Sequence, residues 1–324
     1  MIEKKIFNKI KNIVGKANFL TSEGSMAPYK NGWRTQSGDC KGVIIPSSLL
    51  EMWKILDILV ENHKIILLQA SNTSLTGGST PNGKYDRDLF IINTLKLNNI
   101  ILINNAKQVV AFPGSTLYKL EKKLQKFERA PHSEIGSSCI GASIVGGICN
   151  NSGGALIKRG PAYTELSLYA KVNKNGKLHL VNNLGINLGN SPEQILSNLD
   201  NGNIPSNKLF KTKRKASSLD YKNVIKDVDA SSPARYNADK KRLYEASGCA
   251  GKLAVFAVRL DTFEKEKNEI TFYLSSNSPD DLTLFRRKVL KEVKDLPIYA
   301  EYMHRDAYNI SKKYGKDAFL LPLL

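Results

Sequence analysis

The chain has 324 residues, of which 41% are hydrophobic and 24% are charged, so it is globular rather than disordered and can hold two domains of ordinary size. Its four cysteines show no CxxC pair and no metal-like spacing with the four histidines, so we expect reduced thiols and no metal site. The formal net charge of +18 predicts an anionic partner, which leaves nucleic acid, a membrane surface and an acidic ligand open.

The N-terminal stretch MIEKKIFNKIKNIVGKANFL contains no uninterrupted apolar run, so it is not a secretory signal peptide. Ile6, Ile10, Ile13 and Val14 share one helical face opposite lysines. Such a face would suit a helix on a membrane surface. We expect it to pack on its own domain instead, since that is the commoner fate of an apolar stripe.

Strand-like apolar runs alternate with helical patterns, which predicts an α/β or α+β fold. The runs are 42–46, 64–70, 89–93, 100–103, 109–114 and 253–260. Helices are predicted after the capping pair Ser48 and Glu51, over 115–127 and over 281–295. Between about 173 and 250 the periodicity fades, which predicts insertions and long loops, and another domain is expected to open beyond residue 261.

The densest basic stretch, KLFKTKRKASS at 208–218, has none of the interleaved aromatic residues typical of a single-strand-binding surface. We interpret it as a solvated surface loop. A basic nucleic-acid-binding protein remains the alternative from a different functional class. That alternative predicts salt-sensitive DNA affinity and no yellow cofactor.

Residues 135–154, IGSSCIGASIVGGICNNSGG, lie in a run without charge or proline that extends to Ile157. Six glycines, several serines and two asparagines leave too little apolar surface for a membrane span. The hydrophobic residues recur at near-helical spacing, which linkers lack. The remaining interpretation is a backbone that comes very close to a ligand and offers it N–H groups.

Known glycine motifs do not account for this run. No glycine is followed by another two positions later, so G-x-G-x-x-G is absent. GSTPNGKY at 78–85 approaches a P-loop, but Tyr85 replaces the Ser or Thr that would bind magnesium, and Pro81 removes an N–H. The motifs G-x-S-x-G and H-E-x-x-H are also absent, so neither a hydrolase elbow nor a zincin is supported.

Two glycine-rich segments, 70–80 and 135–154, offer small residues and hydroxyls but no lysine or arginine. This composition suits a diphosphate held by converging backbone N–H groups and Ser/Thr hydroxyls. Two such loops imply one long ligand between two lobes. A third segment, 247–260, places a glycine-rich turn before an apolar strand, where backbone could lie against a flat aromatic ring.

The three segments, in this order and spacing, resemble the FAD-binding domain of the vanillyl-alcohol-oxidase (PCMH-type) flavoproteins. QASNTSLTGGSTPNGKYDRD, PHSEIGSSCIGASIVGGICNNSGG, RGPAYTE, PARYNAD and SGCAGKLAVFAVRLDTFEKEKN resemble more closely the respiratory FAD-dependent D-lactate dehydrogenases that reduce quinone. The resemblance runs from residue 6 to about 318. It implies an α+β fold with α/β-type lobes: a two-lobed FAD-binding domain over 1–261, its PCMH-type core about 35–206, and the beginning of a truncated substrate or cap domain over 262–324.

The resemblance also implies which residues hold FAD. Those of the first lobe would wrap the pyrophosphate: Ala70, Ser71, Asn72, Thr73, Ser74, Gly78 and Ser79. Gly136, Ser143 and Gly153 would contact FAD from the other lobe, and Val255 would meet it through its backbone. We interpret Cys139 and Cys149 as small packing residues rather than nucleophiles.

The implied activity is FAD-dependent oxidation of D-lactate to pyruvate, with electrons passed to membrane quinone. Its implied place is the cytoplasmic side of the inner membrane, bound peripherally to an anionic surface, with no nucleic-acid partner. We expect the substrate groups and the membrane-binding region to lie beyond residue 324, which would impair the chain and leave it soluble if the anchor is missing. Catalytic residues stay unassigned, and His304 with Arg305 is expected to be structural. Another FAD-linked 2-hydroxyacid oxidoreductase is the alternative.

Overall fold

The computed structural model of the chain describes residues 2–33, 36–133, 140–154, 156–202 and 204–315. The helices within these ranges are α1 (Ile2–Val14), α2 (Glu23–Lys30), α3 (Leu49–Glu61), α4 (Leu117–Gln125), α5 (Ile144–Cys149), α6 (Pro192–Asp200), α7 (Tyr221–Lys226), α8 (Pro279–Glu292) and α9 (Arg305–Tyr314). The strands are β1 (Phe19–Leu20), β2 (Gly42–Ile44), β3 (Ile65–Gln69), β4 (Leu89–Asn93), β5 (Ile100–Ile103), β6 (Gln108–Ala111), β7 (Arg129–Ala130), β8 (Ser167–Val172), β9 (Leu178–Asn182), β10 (Ala254–Asp261) and β11 (Phe263–Glu264).

The first sheet has the strand order β1-β2-β4-β3. Strands β2, β4 and β3 are parallel, with Gly42 opposite Phe90 and Ile65 opposite Leu89, whereas β1 is an antiparallel edge strand. Every residue of β2 and β4 is buried, as is typical of parallel strands covered on both faces. The three apolar runs predicted as strands before residue 94 are therefore confirmed, with small shifts at their ends.

The second sheet is antiparallel, with the strand order β5-β6-β10-β8-β9. β10 lies in the middle and pairs with β6 on one side and β8 on the other, and its register with β8 shifts between Val255 and Ala257. Such a bulge leaves one residue of the strand unpaired and bends it. All three predicted strands of this sheet, near 100, 109 and 253, are confirmed.

Helices α1, α3 and α6 contribute to one hydrophobic core together with strands of both sheets. Ile6, Ile10 and Val14 are buried in that core, so the N-terminal helix packs on its own domain as predicted. Burying each such side chain stabilises the fold by roughly 1.5–3 kcal/mol. The α3 start is also as predicted: Ser48 Oγ accepts the Glu51 N–H at 3.1 Å, and Glu51 Oε2 accepts the N–H of Ser47 at 2.7 Å.

The prediction of loops between 173 and 250 is wrong for three elements. β9 completes the second sheet by pairing with β8, α6 packs against α3, and α7 forms a short helix. α6 begins where Ser191 Oγ accepts the Gln194 N–H at 3.2 Å and Pro192 occupies the first turn. Neither the lysines and asparagines around β9 nor the short apolar set of α6 gives a strong periodic signal on its own.

The basic stretch at 208–218 is only partly a solvated loop. Lys211, Lys213 and Lys215 are exposed. Arg214 is not free in solvent, because its Nη1 lies 3.0 Å from Glu245 Oε1 and donates to Tyr244 Oη at 2.7 Å. This contact pins the stretch to the turn that precedes β10.

Residues 262–315 follow the second sheet and expose much apolar surface. β11 pairs with β7, and α8 packs through Leu290 against Ile157 and Leu296. Ile270 is 79% exposed and Tyr273 is 86% exposed. At the start of α9, His304 Nδ1 accepts the Asp306 N–H at 3.2 Å, which is a capping role. Among the described residues, no helix is both long enough and apolar enough to cross a bilayer.

Candidate cofactor site

The segment after β3, residues 70–80, lies at the edge of the first sheet where the parallel strands β3 and β4 end. The Thr94 N–H donates to the Gln69 carbonyl at 2.8 Å and keeps these two strand ends together. Gln69 Nε2 donates to the carbonyls of Tyr29 at 2.9 Å and Ser79 at 2.8 Å, which draws the end of the loop back onto its beginning. Ligands of open α/β sheets bind at the carboxyl ends of parallel strands, so this is the expected edge for a site.

Asn72 holds the loop in shape from within. Its Oδ1 accepts hydrogen bonds from Ser79 Oγ at 2.7 Å and Thr80 Oγ1 at 3.0 Å, and its Nδ2 donates to the Asn31 carbonyl at 2.8 Å. The backbone of Asn72 has a left-handed φ of 52°, a conformation that asparagine tolerates better than most residues. Its amide side chain is therefore occupied inside the loop, and its backbone N–H is what remains for a ligand.

Consecutive backbone N–H groups in this loop have no acceptor in the part of the chain that the structure describes. Within the described residues, the N–H groups of Ser71, Asn72, Thr73 and Ser74 donate no hydrogen bond to the chain. These four residues are half-buried, and a polar backbone group withdrawn from water needs a partner. A curved run of free N–H groups is a recurrent binding site for anions such as phosphate.

The start of α5 lies against this loop. Ser71 Oγ donates to the carbonyl of Gly141, whose φ of 94° is a conformation that favours glycine. Ser143 caps α5 by accepting the Gly146 N–H at 3.1 Å. The predicted pyrophosphate loop and the charge-free run are thus in direct contact.

A second contact fixes α5 beside α4. The Ile144 N–H donates to the Ser115 carbonyl at 2.9 Å, and the Leu117 N–H donates to the Ala142 carbonyl at 3.1 Å. The first turns of α4 and α5 therefore lie side by side. Helix N-termini carry partial positive charge, which an anionic group placed nearby would complement.

The remaining predicted residues have different surroundings. Gly153 is exposed, and a Cβ added there would lie 2.4 Å from Cδ of Arg235, whose Nη2 donates to the Leu156 carbonyl at 2.6 Å. The Val255 side chain is buried against the α5 side of the second sheet, at the bulge of β10, so only its backbone could meet a ligand. Gly136, like Cys139, lies outside the described residues.

Sequence reasoning missed two buried polar residues just before the charge-free run. His132 Nδ1 and Ser133 Oγ are buried and have no hydrogen-bond partner among the described residues. Burial, with a contribution from the Arg159 charge, lowers the pKa of His132 to about 4, so its imidazole is neutral. The Pro-His pair ahead of a glycine-rich run was the available signal, but a lone histidine rarely identifies a site.

These observations fit the diphosphate and polar ring atoms of FAD. Within the described residues, the loop has N–H groups without an acceptor that could bind the phosphates, and His132 and Ser133 leave buried polar atoms that need partners. A family model described as an FAD binding domain matches residues 40–181, which include every predicted site residue except Val255. A second, described as "D-lactate dehydrogenase, membrane binding", matches residues 271–322.

Comparison with solved structures shows the fold. A 4-ethylphenol oxidase from Gulosibacter chungangensis is similar over 81% of this chain and 43% of its own, with a TM-score of 0.51 and 13% identity. A p-cresol methylhydroxylase with bound substrate is similar over 81% of this chain and 44% of its own, with a TM-score of 0.50 and 15% identity. The fold is therefore that of the PCMH-type, or vanillyl-alcohol-oxidase-type, FAD-binding flavoproteins.

Curated relatives with much higher sequence identity are also found. The chain is 55% identical over 319 residues to the quinone-dependent D-lactate dehydrogenase of Escherichia coli K12 and 51% identical over 320 residues to that of Haemophilus influenzae. Each match covers 98% of this chain, and the chain spans 56% and 57% of the two relatives. The chain is thus similar over almost its whole length to quinone-dependent D-lactate dehydrogenases, and it spans about half the length of these relatives.

One sequence-based expectation is corrected by these comparisons. We expected the membrane-binding region to lie beyond residue 324, but the membrane-binding family model matches 271–322. The match falls on the stretch that exposes apolar side chains, including Phe272 at 77% exposure. Apolar residues without a partner are expected both in an incomplete cap domain and in a membrane-binding region. The sequence alone therefore did not distinguish the two for this stretch. The domain boundary at 261 stays a prediction.

Proposed function

We propose that the chain binds FAD between the 70–80 loop and the start of α5, and that it serves the oxidation of D-lactate to pyruvate with electrons passed to membrane quinone. The observation that carries the proposal is the contact of Ser71 with Gly141 beside four consecutive free N–H groups. Bound FAD would supply the chemistry by accepting the equivalent of a hydride from C2 of D-lactate. The similarity to quinone-dependent D-lactate dehydrogenases supports this substrate and acceptor.

The chain's own residues would bind and orient the cofactor. Backbone N–H groups from Ala70 to Ser74, with Gly78 and the hydroxyl-bearing Ser79, would surround the pyrophosphate. Ser143, Gly136 and Gly153 would contact FAD from the α5 side, and Val255 would do so through the backbone of β10. The neutral His132 would add a buried hydrogen-bonding group that carries no charge at neutral pH.

Gly78 offers a direct test of the cofactor site. A Cβ at Gly78 would meet no atom within 4 Å, so the fold itself can accept a side chain there. Gly78→Glu would place a carboxylate beside the phosphates, and we expect at least a tenfold loss of FAD affinity, because like charges repel strongly where water is partly excluded. Flavin retained after gel filtration, read by visible absorbance, measures the effect.

Gly24→Glu is the matched control. Gly24 is also free of neighbours within 4 Å, but it lies on α2, away from the 70–80 loop in sequence. It adds the same charge and should retain FAD as the wild type does. Equal flavin retention in the two variants, with both chains folded by circular dichroism, would reject the proposed site.

The substrate is tested by anaerobic reduction of bound flavin. The protein used is a fusion of this chain with the part of the Escherichia coli relative that the chain does not span. D-lactate, but not L-lactate, is expected to bleach the flavin bound to this fusion. Bleaching by a different D-2-hydroxyacid in place of D-lactate would favour the alternative oxidoreductase. Flavin that stays oxidised with every 2-hydroxyacid would reject the proposed activity while leaving FAD binding intact.

We further propose a peripheral attachment to the anionic, cytoplasmic face of the inner membrane. Exposed Ile270, Phe272 and Tyr273 supply apolar contacts, and the net charge of +18 supplies attraction to anionic headgroups. A membrane-binding family model matches residues 271–322, which include Phe272 and Tyr273, and this match supports the attachment.

A further inference from the structure

Two cysteines from separate parts of the chain meet at the far end of α5. Cys149 is the last residue of α5, and Cys249 lies in the glycine-rich turn before β10. Two backbone hydrogen bonds join these segments: the Gly248 N–H donates to the Ile148 carbonyl and the Ala250 N–H donates to the Cys149 carbonyl, both at 2.9 Å. The two thiols lie close enough for each to shift the pKa of the other, and no disulfide joins them.

The turn around Cys249 is shaped to stabilise a thiolate. Left-handed φ angles at Gly248, Ala250 and Gly251 bend the turn, and the backbone N–H groups of Gly251, Leu253 and Cys249 act to lower the pKa of Cys249. The neighbouring Cys149 thiol, together with these N–H groups, outweighs burial and lowers the pKa of Cys249. The neighbouring Cys249 sulfur and burial raise the pKa of Cys149.

Cys40 shows what an ordinary packing thiol looks like in this chain. Its sulfur contacts Met26 Sδ at 3.8 Å, and burial raises its pKa to about 11. Thiolates, not thiols, react with oxidants, so Cys40 is a built-in reference of low reactivity. Sequence reasoning treated Cys149 as a packing residue because its partner is 100 positions away along the chain.

We propose that Cys149 and Cys249 form a peroxide-sensitive dithiol that closes to a reversible disulfide. The Cys249 thiolate sulfur attacks one oxygen of hydrogen peroxide; an S–O bond forms, the O–O bond breaks and hydroxide leaves. The Cys149 sulfur then attacks the Cys249 sulfur; an S–S bond forms, the S–O bond breaks and the hydroxyl leaves with the Cys149 proton as water. The two thiols lose two electrons and two protons, and peroxide is reduced to two waters.

The disulfide would tie α5 to the turn that leads into β10. The other end of α5 begins at Ser143, and β10 carries Val255, so the link joins two walls of the proposed FAD site. Any effect of oxidation on flavin affinity therefore rests on the proposed function. The thiol chemistry itself does not, and it can be tested on the chain without FAD.

The test is peroxide treatment of the full chain followed by alkylation and non-reducing peptide mapping. We expect a single crosslinked peptide pair containing Cys149 and Cys249, a mass lower by two hydrogens, and complete reversal by dithiothreitol. Cys249 should react with peroxide at least about tenfold faster than Cys40. The Cys40→Ser and Cys139→Ser chains should behave as the wild type does.

Variants that lack one of the two cysteines distinguish the thiol that reacts with peroxide from the thiol that then forms the disulfide. In Cys149→Ser, the sulfenic acid on Cys249 should persist and be trapped by dimedone, because the second thiol is missing. In Cys249→Ser, Cys149 should stay reduced at the same peroxide dose. The proposal is overturned if Cys249 is oxidised no faster than Cys40 in the wild type, or if the crosslink joins Cys249 to a cysteine other than Cys149.

Discussion

At Asn72 and His132, single side chains show two different uses of a buried polar group. Asn72 makes three side-chain hydrogen bonds of 2.7 to 3.0 Å, two within the 70–80 loop and one to the Asn31 carbonyl outside it. His132 keeps Nδ1 without a partner among the described residues. A buried side chain with hydrogen-bond partners, like Asn72, fixes the shape of the backbone around it. A buried polar atom without a partner, like His132 Nδ1, indicates a place where a ligand or water completes the hydrogen bonding.

The burial of His132 predicts a pH-dependent stability. An unfolded histidine takes up a proton near its ordinary pKa of about 6.5, whereas folded His132 resists protonation down to about pH 4. Between these values the unfolded state binds more protons, so the free energy of unfolding falls as the pH falls. The full loss is about 3 kcal/mol at pH 4.

Urea unfolding at pH 7, 6 and 5 measures this loss. His132→Gln cannot titrate, so its denaturation midpoint should depend less on pH than that of the wild type. His179→Gln, at an exposed position of β9, should keep the wild-type dependence. An unchanged slope in His132→Gln would show that other groups account for the acid sensitivity.

Among the elements, α3 depends on a cap from a distant part of the chain. Asp200, at the end of α6, accepts the N–H groups of Leu49 at 3.0 Å and Leu50 at 3.3 Å. These are the first residues of α3, where backbone N–H groups have no partner within the helix. Burial raises the pKa of Asp200, and the two N–H bonds act against that rise.

Removing this cap should destabilise the fold. Asp200→Ala leaves two N–H groups without an acceptor, and we expect the free energy of unfolding to fall by about 1–2 kcal/mol. Asp200→Asn keeps one of the two oxygen acceptors and should lose less stability than Asp200→Ala. Asp57→Ala, at an exposed position of α3, should change stability by less than about 0.5 kcal/mol. Equal losses in the alanine and asparagine variants of Asp200 would contradict a capping role.

Local sequence patterns predicted which segments form helices and strands. They did not predict which of these elements lie next to each other in the fold. The apolar runs of β4 and β10 predicted strands, because both faces of these strands are buried. Ser48 and Glu51 predicted the start of α3. The start of α6 carried a similar signal in Ser191 and Pro192, which the polar surroundings obscured. Strand order, the contact of Ser71 with Gly141 and the cysteine pair depend on residues far apart in sequence, so no local pattern contains them.

For the whole molecule, charge and exposed apolar surface together predict membrane binding. Ile270→Ser with Phe272→Ser should reduce binding to vesicles that contain phosphatidylglycerol, because it removes apolar contacts while keeping every basic residue. The wild type should bind these vesicles better than pure phosphatidylcholine and should be released by salt, as electrostatic attraction is screened. Vesicle co-sedimentation measures both effects.

A matched pair of exposed residues provides the control for that prediction. Tyr118 and Phe127 are also exposed but lie on and just after α4, outside the membrane-binding match. Tyr118→Ser with Phe127→Ser should bind vesicles as the wild type does. Equal loss in both double variants would mean that general hydrophobicity, not the 271–322 stretch, governs binding.

The central place of β10 in the second sheet bears on how the chain is made. β5 with β6 and β8 with β9 can each pair as soon as they leave the ribosome, but the strand that joins them is residues 254–261. Before residues 254–261 are synthesised, the edges of β6 and β8 that later pair with β10 have no partner. They could pair wrongly with strands of the same or a neighbouring chain. We expect nascent chains shorter than about residue 261 to remain protease-sensitive and to need a chaperone's protection, with the sheet closing in one late step.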